Sequence, residues 1–192
     1  MNKKKIIQEL NRNSSNPSAS LLLSRKLLEF DNNSSRALYE LGRSLNTLFR
    51  FKEARVALNK ALKKDIPKDR ISWIYFELGD MYKRKGNIKK AIYWYNKGLE
   101  ESKHSASGYI YIGDCLLILG EIDTSVVYFK KAIKCKEGAI EEAYYNLAGY
   151  YRIKENLREA KKCYLKALQI DPKYKEAKLG LKEVSKALKY VT

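Results

Sequence analysis

Small and large apolar residues return along this chain at fixed offsets of three, one and three. Leu38, Leu41, Gly42 and Leu45 make the first set, and Tyr75, Leu78, Gly79 and Tyr82 the second. Tyr109, Ile112, Gly113 and Leu116 make the third; Tyr144, Leu147, Ala148 and Tyr151 make the fourth. That spacing places four side chains on one face of a helix. A second apolar stripe follows each set. It reads Ala54, Leu58 and Ala61, then Ala91, Tyr95 and Gly98, then Ser125, Phe129 and Ala132, and finally Ala160, Tyr164 and Ala167. Gly86-Asn87, Gly120-Glu121 and Glu155-Asn156 are loop signals between the paired stripes. The pattern predicts four helical hairpins in one register.

The interval from Gly42 to Gly79 is 37 residues, from Gly79 to Gly113 it is 34, and from Gly113 to Ala148 it is 35. The extra residues of the first interval fit within 65–69, where Pro67 breaks a helix and Asp69 can cap the next. The single extra residue of the third falls near Glu137-Gly138. Glycine inside a helix costs roughly 0.5–1 kcal/mol relative to alanine, so Gly42, Gly79 and Gly113 imply close approach of a partner helix.

The flanks are helical too. Residues 2–12 carry Ile6, Ile7 and Leu10 on one side, and Asn16 before Pro17 is a helix start. Leu21, Leu22, Leu23, Leu27 and Leu28 then predict a short helix buried against its neighbours, ending near Phe30. At the other end Ala177, Leu181, Val184 and Leu188 form one stripe within 174–190, surrounded by lysines. A polar cover of this kind is what the open end of a repeat array needs, so the array is expected to be complete there.

On these residues the chain resembles the tetratricopeptide repeat family. Its helix-turn-helix unit of about 34 residues reads W-x-x-L-G-x-x-Y, A-x-x-x-F-x-x-A and a closing P. The fourth repeat carries the pattern as Tyr144, Leu147, Ala148, Tyr151, Ala160, Tyr164, Ala167 and Pro172. Leu38 and Leu45 depart from it by replacing aromatics, and Ser125 by replacing a small apolar residue. The resemblance covers about 35–172 and implies an all-α fold, a right-handed solenoid of helical hairpins. The expected divisions are a degenerate leading hairpin at 1–34, repeats at 35–67, 68–104, 105–138 and 139–172, and a capping helix at 173–192.

The resemblance also implies a non-enzymatic adaptor that holds a peptide segment or helix of another protein in a concave groove. The face of each first helix offset by one residue from the core would line it. That face presents Arg36, Tyr39 and Arg43; Trp73, Phe76, Asp80 and Lys83; Ile110 and Asp114; and Tyr145, Asn146 and Arg152. Tyr39, Trp73, Phe76 and Tyr145 are the expected apolar anchors, and Asp80 and Asp114 would select a basic or amide-rich ligand. A subclass of the family binds acidic chaperone tails through Lys and Asn. The matching positions here include Glu142 and Glu176, and only Asn146 fits.

Charge adds one rival reading. The formal net charge is +17, and lysine supplies 29 of the 39 basic residues. Most of the lysines fall outside the groove face, and twelve of the 29 belong to second helices, away from the groove aromatics. A nucleic-acid channel interleaves cations with stacking rings on one face, so this separation argues against one. A basic-surface contact with nucleic acid or anionic membrane is the alternative, and self-association through the leading helix or the tail is a third. Cys115, Cys135 and Cys163 are widely spaced and His104 stands alone, which offers no zinc or disulfide pattern and points to a reducing, cytoplasmic setting. The opening MNKKKIIQELNRN has too short an apolar run for a signal peptide. No phosphate-binding loop, nucleophile elbow or catalytic carboxylate pair is recognisable, so no catalysis, metal, cofactor or small-molecule substrate is expected.

Overall fold

The first three helices each begin where a polar side chain takes a free amide of the first helical turn. In the computed structural model, which describes residues 2–64 and 68–191 (side chains at 68, 69 and 191 excepted), Asn2 caps α1 (Lys3–Arg12) and Asn16 caps α2 (Pro17–Phe30). Ser34 caps α3 (Ser35–Thr47). Such caps stabilise a helix by about 1 kcal/mol each. α4 (Phe51–Leu62), α5 (Lys68–Arg84) and α6 (Ile88–Glu101) complete a first unit that ends at Glu101. The break expected at Pro67 lies outside the described residues, as does the side chain of Asp69, expected to cap the next helix, whose backbone is already part of α5.

The second unit, from Ser102, holds α7 (Ala106–Ile118), α8 (Ile122–Ala132), α9 (Ile140–Ile153), α10 (Leu157–Ile170) and α11 (Lys175–Val191). Among the described residues the only strand-like feature is an isolated bridge between Ser105 and Glu137, beside Gly138 at φ +97°. No described helix is long and apolar enough to cross a membrane. The described residues form an all-α fold of helices.

Sequential helices pair as α3 with α4, α5 with α6, α7 with α8 and α9 with α10. The glycine column explains how closely. A Cβ at Gly42 would meet Leu58, one at Gly79 the Tyr95 ring, and one at Gly113 the Phe129 ring. Leu58, Tyr95, Phe129 and Tyr164 share one position in their second helices, and all four are buried. Each hairpin thus sets a large side chain into the notch of a small one. Burying such a side chain contributes about 1.5–3 kcal/mol. Ser125 fits the alanine column because its hydroxyl donates to the Ile122 carbonyl at 2.7 Å.

The turns also share a column. Phe49, Gly86, Gly120 and Glu155 each stand seven residues after the small residue of their hairpin, and all four have positive φ. In the leading hairpin Ile6, Leu10 and Leu27 are buried together with Ala37. The expected burial of the α2 leucines fails at Leu22, which is exposed because no described residue of the unit covers that side of α2. On α11, Ala177 and Val184 are buried with Tyr164 and Ala167 of α10, with Leu181 and Leu188 beside them.

Candidate protein-binding surface

The offset face of α3 meets the offset face of α5 inside the first unit. Tyr39 and Trp73 face one another with ring centroids 6.5 Å apart at 43°. Trp73 is 51% exposed. Around the rings lies a cavity of about 290 Å³, lined by Ser35, Arg36, Glu40, Arg70 and Ile74 as well. The Glu40 carboxylate accepts from Arg43 at 2.7 and 3.0 Å, and Arg43 also donates to the Ser14 carbonyl at 3.1 Å. Arg36 donates to the Asn11 side chain. The cavity therefore offers two rings beside Arg70 and beside Arg36, which Asn11 of α1 helps to hold.

Two expected groove residues are corrected. Phe76 is only 7% exposed, because its ring lies in the notch of Gly98, where an added Cβ would collide with it. The residues in place of Gly98 in the other hairpins are Ala61, Ala132 and Ala167. Only in the second hairpin is there room for the ring to fold inward. Ile110 is fully buried with Ala106, Val126 and Phe129 of its own hairpin. Neither side chain can be reached by a ligand.

The acidic residues are engaged inside their units. Asp80 accepts the Tyr95 hydroxyl at 2.6 Å, and burial pushes its carboxyl above the ordinary value. Glu77 is more deeply buried, which pushes its carboxyl up to about 7 against the hydrogen bond from Asn46. In the second unit Asp114 accepts from Asn146 at 3.3 Å. Tyr145 packs against Tyr174 and Tyr164 at 5.3 and 5.9 Å. Arg152 pairs with Glu183 at 3.3 Å and donates to the Tyr164 hydroxyl at 3.4 Å. Lys83 is half-buried on α5.

Sequence reasoning missed Arg70, which is one helical turn before Trp73 and could have been read from that spacing. It also missed a second cavity, about 430 Å³, where Glu141, Glu142, Asp171 and Glu176 surround Tyr174. Those residues come from three segments, and no single stripe announces them. No group of three or more His, Cys, Asp or Glu among the described residues is placed to hold a metal ion.

The family model for the tetratricopeptide repeat matches residues 35–63, 74–104 and 141–174. The chain belongs to the tetratricopeptide repeat family. Tetratricopeptide repeat protein 12 of Mus musculus is 30% identical over 105 residues, which are 51% of this chain and 15% of that relative. The chain thus spans about a seventh of the length of that curated relative. Among solved structures, the tetratricopeptide protein TTC0263 of Thermus thermophilus superposes with a TM-score of 0.75 at 20% identity, covering 95% of this chain and 98% of that one. YrrB, described as a tetratricopeptide protein with an unusual peptide-binding site, gives 0.57 at 24% identity, covering 92% and 90%. At these identities the likeness is one of fold. Tetratricopeptide repeat proteins are generally non-catalytic scaffolds, and the fold is that of a protein–protein interaction module.

Proposed function

We propose that this tetratricopeptide protein is an adaptor that binds a peptide segment or helix of another protein, and that the α3–α5 surface is the main seat. The observation that carries this is the exposed Trp73 set against Tyr39 over a cavity of about 290 Å³. Trp, Tyr and Arg dominate the energetics of protein interfaces because they bury much area at little entropic cost. An apolar side chain of the ligand packs into the cavity against the two rings, and Arg36 and Arg70 receive its polar flank. Tyr145, Asn146 and Arg152 belong to the corresponding face of the second unit and serve as its contacts. Asp80 and Asp114 act through Tyr95 and Asn146, so ligand charge is read mainly by the arginines. YrrB, with its peptide-binding site, supports the reading by analogy of fold.

The test is affinity capture from native lysate at low and high salt, with the wild-type chain beside a Tyr39→Ala, Trp73→Ala double variant. A discrete protein that survives high salt and is lost in the double variant, with helicity unchanged by circular dichroism, supports the groove. Capture retained by the double variant moves the site elsewhere. Nucleic acid or anionic lipid captured only at low salt assigns the function to the lysines of the second helices instead, because such binding weakens steeply with ionic strength.

A further inference from the structure

The first two hairpins carry the same columns with different fillings. In the second, Trp94 of α6 stacks on Tyr75 (5.8 Å, 24°) and on Tyr82 (6.5 Å, 8°). Lys85 and Lys90 then place their ammonium groups 5.9 and 5.6 Å from the Tyr82 ring. The residues in these columns of the first hairpin are Leu38, Ala57 and Leu45, so no rings are present. The leucine column records the consequence. Leu78, Ile112 and Leu147 are buried, whereas Leu41, at the same position of the first hairpin, is only half-buried.

Where the rings are missing there is an apolar cleft of about 390 Å³ between α2 and α4. Leu38, Leu41 and Leu45 of α3 form its floor, with Leu28 on one side and Val56, 53% exposed, on the other. Its rim carries Arg25, Lys52 and Lys60 against one carboxylate, Glu53. That carboxylate already takes two hydrogen bonds from Arg50 at 2.7 Å.

We propose that this cleft is a second protein-docking site, which takes one large aromatic side chain flanked by carboxylates from another protein. The volume suits a single ring system. The walls are aliphatic, and the column that lacks its rings is the one that α5 and α6 fill with tyrosine and tryptophan. Charge fixes the flanks. A basic segment would bring like charges against Arg25, Lys52 and Lys60, whereas an acidic one meets three cations. The site shares no lining residue with the Tyr39–Trp73 cavity and does not depend on it.

The probe is a fluorescein-labelled peptide, Asp-Glu-Trp-Glu-Asp with blocked ends, titrated with the full chain and read by anisotropy. Micromolar binding is expected. Replacing the peptide's tryptophan with alanine, or its carboxylates with amides, weakens binding by about tenfold or more. Lys52→Glu with Lys60→Glu, both exposed positions, weakens it similarly, as does Val56→Asp. Ala57→Trp restores a ring to the column and blocks the cleft; should that variant unfold, the double charge reversal decides. Trp73→Ala leaves the affinity unchanged, which keeps this result separate from that of the groove. The proposal is overturned by absence of binding at millimolar peptide, by equal binding of a lysine-flanked peptide, or by loss in Trp73→Ala. It is also overturned by sedimentation showing a dimer that Ala57→Trp disperses, since the occupant is then a second copy of the chain.

Discussion

In the α3–α4 hairpin Leu58 lies over Gly42, whereas in α5–α6 Tyr95 lies over Gly79 and sends its hydroxyl to Asp80. The second hairpin also folds Phe76 into the notch of Gly98. The first has Ala61 at that notch and leaves Tyr39 half-buried on the surface, facing Trp73. Glu40 meets Arg43 one turn later, while in the same columns Glu77 meets Asp80. Both hairpins keep one register because both oppose a small residue with a large one. The remaining columns are free to differ. The difference turns one hairpin into a sealed unit and the other into one with a cavity on the α5 side and a cleft on the α2 side.

The largest expected effect comes from breaking the notch that both hairpins share. A side chain at Gly79 begins inside the Tyr95 ring, which is buried and tied to Asp80, so it has nowhere to go. Gly79→Leu should cost about 3 kcal/mol or more and lower the melting temperature by at least about 6–12 °C. Thermal unfolding followed by circular dichroism tests it. Unchanged stability would sink the packing account of the whole glycine column.

The seam between the hairpins gives a slightly smaller effect that depends on pH. Burial raises the Glu77 carboxyl to about 7 from 4.5, opposed by the Asn46 hydrogen bond and aided by the Asp80 charge. The folded chain then keeps a proton between these values that the unfolded chain has released. The resulting stability is full below pH 4.5 and is lost as pH rises through 7, by roughly 3 kcal/mol. Asn46 Oδ1 is buried with no partner among the described residues. A protonated Glu77 can donate to that oxygen while its other oxygen accepts the Asn46 amide. Glu77→Gln should therefore keep the contact and flatten urea-derived stability between pH 5 and 8. A slope that survives the substitution belongs to another group.

Most of the fold was legible because its register rests on local rules. The three-one-three spacing, the Asn and Ser caps and the turn column are each written within a few residues. The groove was less legible, because exposure depends on the residue across the notch. Phe76 and Tyr39 occupy the same column and look alike in sequence; Gly98 against Ala61 decides which ring turns inward. A comparison of second-helix columns would have found this. Pairings such as Asp114 with Asn146 and Glu77 with Asn46 join residues about a repeat apart. No helical stripe contains them.

That notch can be tested directly. Alanine is the better helix former by about 1 kcal/mol, which favours Gly98→Ala. Against this, its Cβ displaces the Phe76 ring and gives up part of a burial of about 1.5–3 kcal/mol. The second term wins, so the variant should lose about 1 kcal/mol in chemical denaturation. A gain would mean that Phe76 swings out at no cost, and the second hairpin would then present its ring as the first presents Tyr39.

The smallest effect concerns the turn. Gly86 at φ +75° is at ease there, but Phe49 holds φ +59° as a bulky residue with its ring exposed. Left-handed geometry costs a residue with a Cβ about 1–2 kcal/mol. Phe49→Gly removes that cost, loses the edge-to-face contact with Phe51 at 5.8 Å, and frees the unfolded chain. The last two effects together offset most of the relief, leaving a net gain of about 0.5 kcal/mol. Phe49→Asn tolerates the geometry without glycine's entropy and should gain as much. Gly86→Ala, the mirror change, should lose about 1 kcal/mol. If both Phe49 variants instead destabilise, the Phe49–Phe51 contact outweighs the strain, and the two hairpins close their turns by different physics.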